Sequence, residues 1–209
     1  MLFTSIFLAF LVLGLFAQFY LAQRQMQSAL KHRHAVPKGF ELLVSLESHQ
    51  KAADYTVAKL RFGLLENIFS KILLIALTVL GLIYFIHLEL LAYFAPGVWQ
   101  QIALLLGLSI LTSILDLPFS WYKQFRLEEQ FGFNRMSQKI FWIDFFKGTL
   151  LSLAIGIPLL WVVFTLMAKA GTYWWFFAWI FLIGFILIAT WIVPIWIAPL
   201  FNKFKPLED

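Results

Sequence analysis

Long apolar runs alternate with charged segments along this chain. Met1 to Gln23 carries no charge. A second run extends from about Ile68 to Phe94, with Lys71 near its start and His87 and Glu89 near its end. A third runs from about Val98 to Tyr122 and contains Asp116 and Pro118. Gly148 to Ala168 is charge-free around Pro158, and a last run begins near Thr172 and reaches about Pro199. A bilayer-crossing helix needs about 20 apolar residues, so the pattern predicts five spans, at about 2–22, 68–94, 98–122, 148–168 and 172–199. Pro96-Gly97 and Lys169-Ala170-Gly171 read as tight turns between spans. Pro194 and Pro199 mark where the last helix kinks or leaves the membrane.

Composition agrees. Of 209 residues, 62% are hydrophobic and 13% charged, against roughly half and a quarter in soluble domains. The fold class expected is all-α, a single multi-span membrane domain over residues 1–209. A secretory leader would carry a basic segment before a shorter apolar core. Nothing basic precedes the first run and Arg24 follows it, so that run reads as a retained helix. There is no cysteine, which excludes disulfides, thiolate metal sites and a cysteine nucleophile.

The net charge of +5 has a topological reading. Seven basic residues lie between spans one and two: Arg24, Lys31, Arg33, Lys38, Lys51, Lys59 and Arg61. The Pro96-Gly97 turn has none, and residues 123–147 hold Lys123, Arg126, Arg135, Lys139 and Lys147. Lys169 stands alone in the next turn, and the tail holds Lys203 and Lys205. The positive-inside rule then places the N-terminus outside and both long loops and the C-terminus inside. Anionic lipid headgroups account for the basic charge without nucleic acid. Trp99, Trp121, Tyr122, Trp142, Tyr173, Trp174 and Trp175 fall near span ends, as interfacial anchors do.

Two inner loops exceed plain connections. In the first, Tyr55, Ala58, Phe62, Leu65 and Phe69 recur on one helical face, predicting a helix from an N-cap at Ser48 into span two. That face reads equally as lying on headgroups or as docking another domain. The second loop mixes charges and aromatics between Phe119 and Arg135; Gly132 is expected to break the chain, and Asn134 to cap a helix starting near Met136.

Candidate chemistry is sparse. His32-x-His34 is flanked by Lys31 and Arg33 and lacks a third ligand, so no metal site is expected, and no HExxH motif occurs. His49 and His87 stand alone. Ser109 has no histidine in a later span to act as its base. Glu128-Glu129 invites comparison with glutamate-type prenyl-protein peptidases, but position 133, where arginine is needed, holds Phe133. Asp116 reads either as the polar lining of a substrate chamber or as a helix-end carboxylate paired with Lys123. No catalytic residue is assigned in this chain, and whether it belongs to an enzyme is left open by its residues.

Three segments carry a resemblance. Leu117-Pro118-Phe119-Ser120-x-Tyr122-x-x-Phe125-x-x-Glu128-Glu129-x-x-Gly132-Phe133-Asn134 resembles the membrane-region signature of Ste24-type CAAX prenyl proteases, the M48 zinc metallopeptidases. Tyr55-x-x-x-Lys59-x-x-Phe62-Gly63 and Pro199-Leu200-Phe201-Asn202-Lys203-Phe204-x-Pro206-Leu207-Glu208-Asp209 are similar to the same family and stand in family order. The resemblance implies an N-terminal membrane domain that encloses and orients a peptide substrate, lipidated or not. It implies a C-terminal zinc peptidase domain on the inner side, with zinc held there and not in this chain. The sequence ends at Asp209, where the family continues, so a piece of a longer metalloprotease is expected ahead of a stand-alone remnant. Asp116, Glu128, Glu129, Asn134 and Arg135 become candidates for rimming the chamber or bracing the zinc domain. The alternative is a non-catalytic membrane scaffold that docks partners through the inner loops. A transporter fits less well, because no internal repeat occurs and Asp116 stands nearly alone within the spans. The charge pattern, with no targeting signal, suits a bacterial inner membrane.

Overall fold

A computed structural model describes residues 2–201. Its elements are α1 (Leu2–Lys31), α2 (Leu46–Thr78), α3 (Leu82–Leu91), α4 (Val98–Tyr122), a π-helical segment (Lys123–Glu128), α5 (Gln138–Lys169), a 3₁₀ turn (Gly171–Tyr173), α6 (Trp174–Ile192), a π-helical turn (Val193–Ile197) and α7 (Ala198–Phe201). The described residues contain no strand. Four stretches are long and apolar enough to cross a membrane: Leu2–Lys31, Val98–Glu128, Gln138–Lys169 and Gly171–Phe201. The pair α2 and α3, bent by 51° at the break between them, meets the same length and hydropathy test only when the two are taken together. This is the all-α, multi-pass architecture that the apolar runs predict. The third family-like segment lies outside the described residues from Asn202 to Asp209, as do Met1, Lys203 and Lys205.

The structure departs from the expected elements at their ends. Span two is not one helix. Gly81 adopts φ +77°, left-handed backbone that favours glycine, so α2 stops and its carbonyl restarts the chain as α3 by accepting from Phe85 N. The N-cap of α2 is Ser45, not Ser48: the Ser45 hydroxyl accepts from Ser48 N at 3.2 Å. Ser137, not Asn134, caps α5 by accepting from Ile140 N at 3.3 Å. Around Pro194 the chain stays helical but widens to π geometry. Proline lacks the donor for an ordinary turn and its ring crowds the preceding carbonyl, which the wider turn accommodates.

The chain forms two compact units, residues 1–86 with 112–136 and residues 87–111 with 137–209. In the first, α1 packs along α2 through Ala22, Met26, Ala53 and Val57, all buried. Arg33 clamps the pair with Nε and Nη2 each 2.7 Å from the Asp54 carboxylate. In the second, α5 packs with α6, and Gly156 lets Leu106 come within 3.5 Å of where a Cβ would sit. Gln100, also buried, donates to His87 Nδ1 at 2.7 Å. Most large apolar side chains in both units are exposed, among them Phe3, Phe16, Trp191 and Trp196. Water would penalise that surface, whereas lipid tails accept it.

Candidate functional site

The first unit gathers most of the sequence-selected residues. The π-helical segment ends in Glu128, and the chain then turns at Gly132, whose φ of +68° fits only glycine without strain. Gly132 N donates to Glu129 O at 2.9 Å and Phe133 N to Glu128 O at 2.9 Å, closing the turn. The turn returns Phe131 and Phe133 against α2. Tyr55 meets both rings edge-on, with centroids 5.3 and 4.9 Å away. Its hydroxyl donates to Glu128 Oε1 at 2.6 Å. That bond, followed by burial, raises the Tyr55 pKa, because ionised phenolate would face a carboxylate. Lys51 Nζ lies 5.5 Å from the Phe133 ring centroid.

Asn134 organises the other side of the turn. Its Oδ1 accepts from Gln124 Nε2 at 2.5 Å and from Met136 N at 2.8 Å, while its Nδ2 donates to Glu129 Oε2 at 2.6 Å. Glu128 and Glu129 therefore face different partners and do not form a carboxylate pair on one reacting atom. Phe133, at the position where the glutamate-type pattern would need arginine, is a packing residue. Arg135 is exposed and lies outside the network.

The aromatic face of α2 is covered by the same chain. Phe62 stacks with Tyr122 at 5.2 Å and Phe69 lies 4.7 Å from Phe119. Leu65 of the same predicted stripe remains 60% exposed. Residues 119–133 cover Tyr55, Phe62 and Phe69 of that face. Asp116 lines a half-open cavity of about 260 Å³ with Glu66, Ser70 and Ser120, beside the Phe69–Phe119 pair. The pairing with Lys123, one of the alternatives for Asp116, is not formed; among the described residues the ion pair is Arg33–Asp54.

His32 and His49 join the end of α1 to the start of α2. His32 Nδ1 donates to Ser28 O at 2.8 Å at the end of α1, and His49 Nε2 donates to His32 O at 2.8 Å. Among the described residues no group of three or more His, Cys, Asp or Glu side chains could hold a metal ion. Tyr55 and Gln124 of this network, and Arg33 of the α1–α2 clamp, are residues that composition alone did not select. The signal for Tyr55 was its place on the α2 face; Gln124 and Arg33 had none beyond polarity.

A family profile described as CAAX prenyl protease N-terminal, five membrane helices, matches residues 25–203. The chain is 33% identical to CAAX prenyl protease 1 homolog of Dictyostelium discoideum, over 96% of this chain and 48% of that protein. It is 30% identical to CAAX prenyl protease 1 of Saccharomyces cerevisiae, over 91% of this chain and 44% of the relative. The crystal structure of S. mikatae Ste24p superposes with a TM-score of 0.85 at 31% identity, covering 96% of this chain and 48% of that one. The chain thus spans about half the length of the relatives it matches. These relatives are eukaryotic and lend no support to a bacterial inner membrane. With its apolar helices and this match over most of its length, the chain belongs to the family of CAAX prenyl protease N-terminal regions with five membrane helices.

Proposed function

We propose that this chain is the membrane-embedded half of a zinc metalloendopeptidase of the CAAX type. Its helices enclose a peptide substrate, lipidated or not, and hold it for hydrolysis. Zinc and the water it activates belong to a C-terminal peptidase domain of the same full-length protein. The chain lies in the membrane with its N-terminus outside and its C-terminus and two long loops inside. Glu128, Glu129 and Asn134 fix the loop at residues 123–137 as a rigid brace, and Asp116 and Arg135 add polar surface beside it.

The observation that carries this reading is the 0.85 TM-score over 96% of the chain at 31% identity, against a protein titled Ste24p. The intact mass of the native protein, captured from membranes with an antibody against residues 123–137, tests it. A mass well above 24.3 kDa, with HExxH in the added sequence, is the expected result. A native product near 24.3 kDa would overturn it and put the non-catalytic scaffold first.

A further inference from the structure

The segment between α1 and α2 holds apolar side chains outward. Pro37 O accepts from Phe40 N at 3.1 Å and Phe40 O from Val44 N at 2.9 Å, two successive turns, the first through Gly39 at φ +95°. Both ends are pinned, since His49 Nε2 bonds His32 O at 2.8 Å and Arg33 clamps Asp54 at 2.7 Å. Within this frame Leu42 is 100% exposed, Leu43 80% and Phe40 57%. Water penalises such a cluster, so something covers it.

Height excludes the bilayer as that cover. Phe62 of α2 stacks on Tyr122, where the third apolar run ends, so this pair marks the edge of the hydrocarbon. From Phe62 back to Leu46, the first residue of α2, the axis rises about 24 Å. A headgroup layer is about 5–8 Å thick, and a helix tilted by about 40° would still carry Leu46 about 18 Å out. On α1 the rise from Gln23 to Lys31 is smaller, about 12 Å, and it too clears the headgroups before the segment begins. Charge gives no pull toward anionic lipid either. Exposed Lys31 and Lys38 are offset by exposed Glu41 and Glu47, and Arg33 is paired with Asp54. The cover is therefore protein. Relatives matched by this chain are about twice as long as the part it spans, 48% of each in two cases.

We infer that Phe40, Leu42 and Leu43 dock into an apolar pocket of the polypeptide that follows residue 209 in the full-length protein, the same C-terminal peptidase half on which the proposed function rests. The tip of the α1–α2 hairpin then fixes the height of that half above the membrane. It does so at a point distinct from the brace at residues 123–137, because Leu46 lies about 14 Å along the α2 axis from Tyr55, where the brace is fastened.

Photo-crosslinking tests this, with p-benzoylphenylalanine in place of Leu42 in the full-length protein, irradiated in its membrane and mapped by mass spectrometry. The peptide holding position 42 should be joined to one from beyond residue 209 of the same chain. The same probe in place of exposed Tyr93, in the basic-free turn, should not reach that region. Capture of lipid alone, of a second copy or of a separate protein overturns the assignment, as does the absence of any cross-link to protein. The Phe40→Ser/Leu42→Ser/Leu43→Ser variant should speed hydrogen exchange in the cross-linked C-terminal peptide about tenfold, with exchange near Met26 and Val57 unchanged. Unchanged exchange in that peptide also overturns it. If exchange near Met26 and Val57 rises as well, the variant has disturbed the hairpin and the cross-link decides. A native chain near 24.3 kDa would remove the partner and defeat the proposed function with it; a longer chain without the cross-link would defeat the docking alone.

Discussion

The Tyr55 hydroxyl donates to Glu128 Oε1 at 2.6 Å across 73 residues of sequence. This bond fastens the loop at residues 123–137 to α2, while Phe131 and Phe133 hold the ring. Tyr55→Phe keeps the ring contacts and leaves the carboxylate without its donor. A loss of about 1–2 kcal/mol is expected in denaturant unfolding in micelles. Tyr55→Ala should lose more, because the ring packing goes as well. Equal stability of Tyr55→Phe and wild type would show that the bond contributes nothing.

The same bond has a pH consequence. The folded-state Tyr55 pKa is raised above its ordinary 10.0, chiefly by the Glu128 bond. Its contribution is thus complete below the unfolded value and is lost as pH rises through the folded one. Phenolate absorbance should show an alkaline step, raised above the ordinary tyrosine value, that disappears in Tyr55→Phe. An unchanged titration curve in that variant would contradict the assignment.

Gly132 and Gly148 should respond oppositely to alanine. A Cβ at Gly132 would meet Lys51 Nζ at an ordinary 3.6 Å, so the penalty lies in the backbone at φ +68°. About 1–2 kcal/mol of destabilisation is expected. Gly148 lies within α5 with nothing within 4 Å of a Cβ, and alanine there should be neutral or stabilising by up to about 1 kcal/mol. Thermal unfolding of the two variants side by side gives the comparison.

Asn134 bridges Gln124, Glu129 and the Met136 amide. Asn134→Ala should speed proteolysis within residues 129–137. Asn134→Asp should speed it further, because a second carboxylate would face Glu129. Protection equal to wild type in both variants would deny the loop its brace.

Asp54 is held below the usual carboxylate range chiefly by the Arg33 hydrogen bonds. With the folded value depressed, the clamp contributes above the unfolded value of 3.8 and is lost as pH falls through the folded one. Arg33→Glu should loosen α1 from α2, measured by hydrogen exchange near Met26 and Val57. The swapped pair Arg33→Asp/Asp54→Arg should restore protection in part; no recovery would point to packing instead.

The chain has no cysteine to remove before labelling. Ala95→Cys, in the basic-free turn, and Gln130→Cys, in the basic loop, should therefore react with impermeant maleimide from opposite sides of oriented vesicles. Reaction from the same side would refute the proposed orientation.

Apolar run length, charge placement and the family-like segments were readable from the sequence because each is a local property. A charge-free stretch of about 20 residues must become a helix in lipid whatever surrounds it. Which residues meet was settled only in three dimensions. Lipid is as apolar as the helix faces, so hydrophobic pattern marks a span without marking the side that packs. Tyr55 found Glu128, Arg33 found Asp54, and Asp116 came to share a cavity with Glu66 instead of pairing with Lys123. The break at Gly81 was likewise decided by backbone conformation, since a glycine in an apolar run fits either a continuous helix or a turn until its φ is known.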